Sequence, residues 1–158
     1  MLPDPMSEKL RVVIDTNHIM SAILSSRGAS SKLIDWMTKD YDYFTLLISE
    51  DIRREYDTVA GWLIPDTGQN EKRRILNILY NRAEFVRPGI RLNACSDESD
   101  NRFLECAVAG NADYLVTKNI RDFPPEEYQG VKIVRIAKFL KVLEHIEKTF
   151  KSEQHICL

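Results

Sequence analysis

Two polar residues follow directly after short apolar runs that are typical of buried strands. Asp15 comes after Leu10–Ile14, and Thr117 comes after Tyr114–Val116. In an open parallel sheet, ligands bind beyond the carboxyl ends of the strands, so both residues stand where a site is expected. Asp15 also suits an ordinary role, because Asp is a common N-cap of a following helix. Its function therefore depends on which residues lie beside it.

Glu55 is a second acid that the sequence pattern turns inward. The helix predicted after Ser49 has apolar residues at positions i, i+4 and i+7, and Glu55 falls within their stripe. These apolar residues are Ile52, Tyr56 and Val59. Arg53 or Arg54 could pair with the acid, but both flank the solvent side of the helical wheel. Because a buried acid without a partner is costly, we interpret Glu55 as a functional carboxylate.

Asp100 is a third inward acid, at the start of another predicted helix. It shares one helical face with Phe103, Leu104 and Ala107. Acids in a first turn also cap free N–H groups and complement the helix dipole, whatever else they do. We favour capping, or support of a neighbouring ligand, for Asp97, and ligation for Asp100.

Several inward acids at one site point to a cation. Clustered carboxylates raise each other's pKa unless a positive charge lies between them, and oxygen-only ligands suit Mg²⁺ or Mn²⁺. Such ions activate water for attack on a phosphodiester. The segment 117–122 would complete the pocket through Thr117, Asn119 and Asp122, although these residues also suit an ordinary turn.

The elements that must position these residues alternate between strands and helices. Strands are predicted at Leu10–Ile14, Phe44–Ile48, 85–86, 114–117 and 132–136. Helices are predicted near 19–24 and 33–37, from Ser49 to about Ala60 with Gly61 as the stop, and at 71–84, 97–110 and 137–150, with 119–129 irregular and 151–158 a frayed tail. This alternation predicts a three-layer α/β/α sandwich around a mainly parallel sheet.

Length and composition agree with one ordinary domain. The chain has 158 residues, 44% of them hydrophobic, and 22 basic against 24 acidic residues. We therefore expect a single domain over 1–158, with its core at about 10–150, and exclude a strongly basic nucleic-acid coat protein. Three cysteines without a CxxC pair and three histidines give no zinc pattern.

The location of the protein is also predicted from the sequence. The first ten residues lack the apolar run of a secretory signal, and nowhere do 18 apolar residues follow one another. The odd cysteine count favours a reducing compartment. We expect a cytoplasmic protein without a membrane partner.

The order and spacing of these motifs resemble the PIN domain family, in particular the small VapC-like ribonucleases of prokaryotic toxin–antitoxin pairs. The resemblance covers about residues 11–143 and is carried by the motifs at 12–17, 47–55, 97–107 and 112–117. It implies a metal-dependent endoribonuclease in which Asp15, Glu55 and Asp100 hold Mg²⁺ or Mn²⁺, supported by Asn17 and Thr117. Many members have Asp two residues after the Thr, where this chain has Asn119. Asp122 is the nearest acid that could replace it.

The resemblance also implies partners. Proteins of this kind act on RNA, commonly form homodimers and bind a small antitoxin that blocks the site. Candidate RNA-binding cations are Arg53, Arg54, Lys118 and Arg121, with Lys72, Arg73 and Arg74 equally suited to a solvated helix face. Two alternatives stay open: a PIN-like module that binds RNA or protein with little or no catalysis, for which Asn119 is the motive, and a phosphoesterase acting on DNA or a small phosphate ester.

Overall fold

The computed structural model describes residues 9–156 and is built around a six-stranded sheet. Its strands are β1 (Leu10–Ile14), β2 (Phe44–Ile48), β3 (Glu84–Phe85), β4 (Tyr114–Val116), β5 (Glu127–Tyr128) and β6 (Val131–Val134). Its α-helices are α1 (Thr16–Leu24), α2 (Ala29–Met37), α3 (Glu50–Leu63), α4 (Gln69–Arg82), α5 (Asn101–Ala109) and α6 (Ile136–Ile156). Short 3₁₀ turns occupy Asp66–Gly68, Glu98–Asp100 and Ile120–Asp122.

The strand order β3-β2-β1-β4-β6-β5 determines where a site can form. All neighbouring pairs are parallel except β5 with β6. The order reverses between β1 and β4, since β2 and β3 lie on one side of this pair and β6 and β5 on the other. Crevices for ligands open at such a reversal, beyond the carboxyl ends of the strands. Asp15 and Thr117 follow β1 and β4, so they flank this crevice.

The core explains why the strands read as unbroken apolar runs. In β1, the side chains of Val12, Val13 and Ile14 are fully buried, because helices cover both faces of the sheet. On one face, the ring of Phe139 in α6 packs at 5.5 Å from the rings of Phe44 and Tyr114. The mainly parallel three-layer α/β/α arrangement is confirmed.

Helix α3 begins where the sequence predicts and ends later than predicted. The Ser49 hydroxyl accepts a hydrogen bond from the Ile52 N–H at 3.2 Å, which is a standard N-cap. Gly61 does not stop the helix, which continues to Leu63. The physical stop is Pro65, because the residue before a proline is driven out of the helical region, and Ile64 has an extended backbone.

Other predicted boundaries also shift. Residues 119–129 are not wholly irregular, because Glu127–Tyr128 pair with β6 as a short antiparallel strand. The region after Phe150 is not a frayed tail as far as Ile156, since α6 continues through it, and Lys151 pairs with Glu147 one turn earlier at 3.6 Å. The last two residues lie outside the described part. Within residues 9–156, no helix has the length and apolar character to cross a membrane.

Candidate metal centre

Asp15 is held firmly at the end of β1. Its N–H donates to the Val116 carbonyl at 3.0 Å, and its side chain receives the Thr117 hydroxyl at 2.7 Å. The residue is 4% exposed, and burial raises the pKa of its carboxyl, while the Thr117 hydroxyl and the amides of Thr16 and Asn17 lower it in part. Asp15 stands at the N-cap position of α1, but its carboxylate makes no capping hydrogen bond of good geometry. The carboxylate is therefore free for another role.

Glu55 lies half-buried on α3 and reaches the same region. The Thr16 hydroxyl donates to Glu55 Oε2. Burial raises the pKa of Glu55 most strongly, the Thr16 hydroxyl lowers it, and the negative charges of Asp15 and Asp97 raise it further. The inward orientation predicted from helical spacing is thus reflected in the electrostatics of the site.

The neighbouring arginines do not neutralise Glu55. The Arg54 Nε atom lies 3.6 Å from Glu50 Oε1, one turn earlier on α3. The Arg53 guanidinium lies over the Tyr80 ring, at 5.0 Å from its centroid. Both arginines are exposed, as the helical wheel predicts.

Asp100 is the acid whose environment is least compensated. It is 6% exposed, and its Oδ2 atom has no hydrogen-bond partner. Burial raises its pKa to about 7, with further contributions from the charges of Asp15, Asp97, Asp122 and Glu55. The other partnerless buried polar atom among residues 9–156 is Nε2 of His18, whose pKa burial lowers to about 4, so that ring is neutral at pH 7. An unpaired carboxylate is the costlier of the two.

Of the remaining polar residues predicted at the site, the two acids accept hydrogen bonds from nearby serines, whereas the two asparagines are exposed. Asp97 caps the 3₁₀ turn before α5 by accepting the Ser99 N–H at 3.0 Å, which confirms its capping role. Asp122 accepts the Ser96 hydroxyl at 3.1 Å and adds negative charge near Asp100. Asn17 and Asn119 are exposed, and Asn119 contributes its backbone N–H to the Thr117 hydroxyl at 3.0 Å.

The donor atoms of the three inward acids are of the type that Mg²⁺ or Mn²⁺ binds. In the described part of the chain, no guanidinium or ammonium group pairs with Asp15, Glu55 or Asp100, and one Asp100 oxygen has no donor. Carboxylate and hydroxyl oxygens are the ligands that hard divalent cations take. No group of three His, Cys, Asp or Glu side chains within residues 9–156 stands ready to hold an ion. The ligand assignment therefore stays a prediction.

Two residues that the sequence analysis did not predict support the acids, one by direct contact and one through the backbone. Thr16 holds Glu55 through its hydroxyl, and the fully buried Tyr56 donates its hydroxyl to the Ile14 carbonyl, immediately before Asp15. The helical pattern places Tyr56 in an apolar stripe and does not predict this hydrogen bond. A phenol in such a stripe signals a buried hydrogen bond, because a buried hydroxyl needs a partner.

Two further missed residues tie α5 to the segment that precedes the site. Asn101 Oδ1 accepts the N–H groups of Ala94 and Cys95, at 3.1 and 3.0 Å, and Glu105 Oε2 accepts the N–H of Leu92 at 2.7 Å. Asn101 and Glu105 are 0% and 1% exposed. Their spacing of i and i+4 places both on one helical face, but that face lies away from the predicted apolar stripe, so the sequence pattern gives no signal of their burial.

The other candidate RNA-binding cations lie at the surface. Lys118 donates to the Ser21 hydroxyl at 3.3 Å, which ties it to α1. Arg121 is exposed and forms no ion pair with any residue of 9–156. The basic residues 72–74 lie on α4, where Arg74 pairs with Glu71 at 2.7 Å. Their assignment to RNA stays a prediction.

Comparison with known proteins identifies the class. A family model described as a PIN domain matches residues 11–121, so this chain belongs to the PIN domain family. The protein MJ1680 of Methanocaldococcus jannaschii is 30% identical over 108 residues, which are 66% of this chain and 68% of that one. VapBC2 from Rickettsia felis, solved bound to a DNA fragment from their promoter, matches with a TM-score of 0.51 at 16% identity, over 80% of this chain and 98% of that chain. This structural likeness supports the fold, and the predicted family is confirmed.

Proposed function

We propose that this PIN domain is a metal-dependent endoribonuclease that hydrolyses single-stranded RNA and acts as the toxin of a toxin–antitoxin pair. The observation that carries the proposal is the state of Asp100, a buried carboxylate with an unpartnered oxygen and a pKa raised to about 7. Four other acids contribute to that shift, and none of the three inward acids is paired with a basic side chain of residues 9–156. A divalent cation would neutralise this concentration of negative charge.

In this proposal each acid has a defined part. Asp15, Glu55 and Asp100 hold Mg²⁺ or Mn²⁺, and a bound ion of this kind supplies activation of water and stabilisation of charge on the phosphate. The Thr117 hydroxyl orients Asp15, and the Thr16 hydroxyl orients Glu55. These hydroxyls restrict the orientations of the two carboxylates in advance, which lowers the cost of ordering them when the ion binds.

The substrate would be held by cations around the acidic site. Lys118 directly follows Thr117 and is tied to Ser21, while Arg121 is exposed three residues further on. Such groups contact phosphates and position the RNA without reading its sequence. Arg53 and Arg54 extend the positive charge along α3. Asn119 is neutral, and we propose that Asp122 supplies negative charge in its place.

The proposed partners are an antitoxin and a second copy of the chain. Both follow from the family resemblance, and the fold shared with the VapBC2 assembly supports the first. An antitoxin segment that carries a cation would find the unpaired acids an attractive binding site. We also propose a cytoplasmic location, where the RNA substrate is found.

Cleavage of a labelled single-stranded RNA in Mg²⁺ or Mn²⁺ tests the activity. The wild-type protein is expected to cleave, and Asp15→Asn and Asp100→Asn are expected not to cleave. Asp40→Asn is the matched control, because Asp40 is exposed and pairs with no residue in the described part of the chain. Equal cleavage by both site variants would refute the site, and RNA binding without cleavage by the wild-type protein would favour a non-catalytic module.

A further inference from the structure

A cationic hollow lies beside the antiparallel edge of the sheet. It measures about 670 Å³ and is formed by the β5–β6 hairpin, the start of α6 and the 3₁₀ turn after β4. The side chains that matter here are those of Ile120, Glu126, Glu127, Lys132, Arg135 and Lys138. We refer to it as the hairpin hollow.

The hairpin hollow adjoins the candidate metal centre along the same edge of the sheet. The Thr117 N–H donates to the Val134 carbonyl at 3.0 Å, so β4 and β6 end side by side. Arg135 directly follows β6, as Thr117 follows β4 and Asp15 follows β1, and Lys118 comes one residue after Thr117. Because neighbouring strands are about 4.8 Å apart, the backbone of Arg135 lies about 10 Å along this edge from that of Asp15.

The cations of the hollow are unpaired. Lys132, Arg135 and Lys138 are exposed, and none of them forms an ion pair with any residue of the described range. The Lys132 ammonium lies 5.9 Å from the centroid of the Tyr114 ring. Glu126 and Glu127 face the same space, so the hollow combines three positive charges with two negative ones.

We propose that the hairpin hollow binds the phosphodiester backbone of the RNA on one side of the bond that is cleaved. This inference rests on the proposed nuclease function and adds a region of substrate contact to it. An RNA strand that passes over Lys118 reaches Arg135 next along the sheet edge and then Lys138 within the hollow. Phosphate contacts of this kind add affinity and fix the register of the strand, and they weaken as salt is added.

The test measures the salt dependence of RNA binding. A labelled 12-nucleotide single-stranded RNA is titrated with protein that carries Asp100→Asn to prevent cleavage, at 50 to 200 mM salt. In that background, Arg135→Gln with Lys138→Gln should weaken binding roughly 20-fold at 0.1 M salt and reduce the slope of log K against log salt by about 1.4, at about 0.7 per phosphate contact.

Two further variants separate this effect from a change in net charge or in folding. Lys141→Gln with Lys148→Gln makes the same charge change at exposed positions of α6 outside the hollow, and should leave the slope unaltered. Glu127→Gln removes a negative charge from the hollow and should strengthen binding a few-fold, roughly 5-fold at most, which misfolding cannot do.

Two outcomes would overturn the proposal: an equal loss in both double variants, or an unchanged slope in the Arg135 and Lys138 variant. Failure of the nuclease function is distinguishable from failure of the hollow. Wild-type protein that binds RNA through the hollow without cleaving it refutes the nuclease and retains the hollow. Cleavage by the wild-type protein, combined with an unchanged slope in the variant, refutes the hollow alone.

Discussion

Two buried acids, Asp100 at the start of α5 and Glu105 within it, are held in opposite ways. Asp100 is 6% exposed and one of its oxygens has no partner. One turn later, Glu105 is 1% exposed and is fully paired: Arg102 lies 2.8 Å and Arg91 3.2 Å from its Oε1 atom. Its other oxygen accepts the Leu92 N–H at 2.7 Å.

The difference teaches that burial alone does not distinguish a structural acid from a functional one. Glu105 is buried because Arg91 and Arg102 offset the cost of removing its charge from water, and each arginine also pairs with a second acid, Asp51 and Glu98 respectively. Asp100 has no such compensation, and its pKa is raised to about 7. An acid in that state is costly for the fold, and we propose that it is retained for binding a cation.

The largest expected effect is on catalysis, through Asp100→Asn. Loss of a metal ligand should lower the rate of RNA cleavage by more than about 100-fold, since even the residues that orient ligands are worth about 10- to 100-fold. The rate is measured with labelled RNA in Mn²⁺. Glu105→Gln is the comparison, and a loss of activity in Glu105→Gln together with full activity in Asp100→Asn would show that the contrast between the two acids is wrong.

Glu105→Ala should instead act on stability. Removal of this side chain leaves the half-buried Leu92 N–H without an acceptor and takes away one of the two carboxylates that pair with Arg102, the other being Glu98, at a cost of about 2 kcal/mol in the free energy of unfolding. Urea denaturation measures the loss, and calorimetry with Mn²⁺ is expected to give binding that is retained. Unchanged stability together with lost metal binding would reverse the roles that we assign to the two groups.

Thr117→Val sharpens the account of how the site is oriented. The substitution keeps the shape of the side chain and removes the hydroxyl that donates to Asp15. Mn²⁺ binding should weaken by about 10- to 100-fold, as measured by calorimetry. Thr45→Val is the matched control, because Thr45 lies on β2 and its side chain makes no hydrogen bond within residues 9–156. Equal effects at both positions would remove the orienting role.

The contribution of Asp100 to the stability of the metal-free protein should fall as the pH rises, whereas the buried His18 ring, whose pKa is lowered to about 4, contributes in the opposite sense. The Asp100 carboxyl has a pKa of about 7 in the folded protein against an ordinary value of 3.8, so between these values the folded state holds the proton more tightly. Asp100 therefore disfavours folding increasingly from about pH 4 to pH 7. Melting temperatures in EDTA are compared between the wild-type protein and Asp100→Asn. The wild-type protein should lose stability relative to the variant as the pH rises. A fall of the same size in both proteins would exclude Asp100 as its source.

The smallest effect is expected for Arg91→Gln. The Arg91 side chain is 65% exposed, so water screens its pairing with Asp51 and Glu105. Its loss should cost far less in the free energy of unfolding than Glu105→Ala, because exposed ion pairs contribute little. Urea denaturation of Arg91→Gln and of Glu105→Ala compares the two losses in the free energy of unfolding. A cost as large as that of Glu105→Ala would mean that Arg91, and not Arg102, is the main partner.

Much of the fold could be predicted because its signals are local. The apolar run Leu10–Ile14 and the N-cap Ser49 are where the sequence predicts them. The short strand Glu127–Tyr128 was missed, since two residues show no periodicity and their pairing depends on β6. Gly61 favours a helix stop in the sequence, but the restriction that Pro65 imposes on Ile64 determines the end of α3.

The site could be predicted only in part, for a different reason. Helical spacing correctly indicated that Glu55 and Asp100 turn inward, but it places Glu105 on the side of α5 opposite the apolar stripe, so the same reasoning does not find that Glu105 is buried. Spacing does not reveal partners, because Arg91 is 14 residues away in sequence and the turn that brings it to Glu105 is not visible in any local pattern. The hydroxyl of Thr16 was missed because its contact with Glu55 joins two helices.

The most direct test of the central claim is a crystal of the protein soaked in Mn²⁺ and measured at the manganese absorption edge. We expect an anomalous peak beyond the carboxyl ends of β1 and β4, within about 2.5 Å of carboxylate oxygens from Asp15 and Asp100. Asp100 would then gain the partner that it lacks. A peak elsewhere, or an Asp100 carboxylate paired with a basic side chain in place of the ion, would contradict the account.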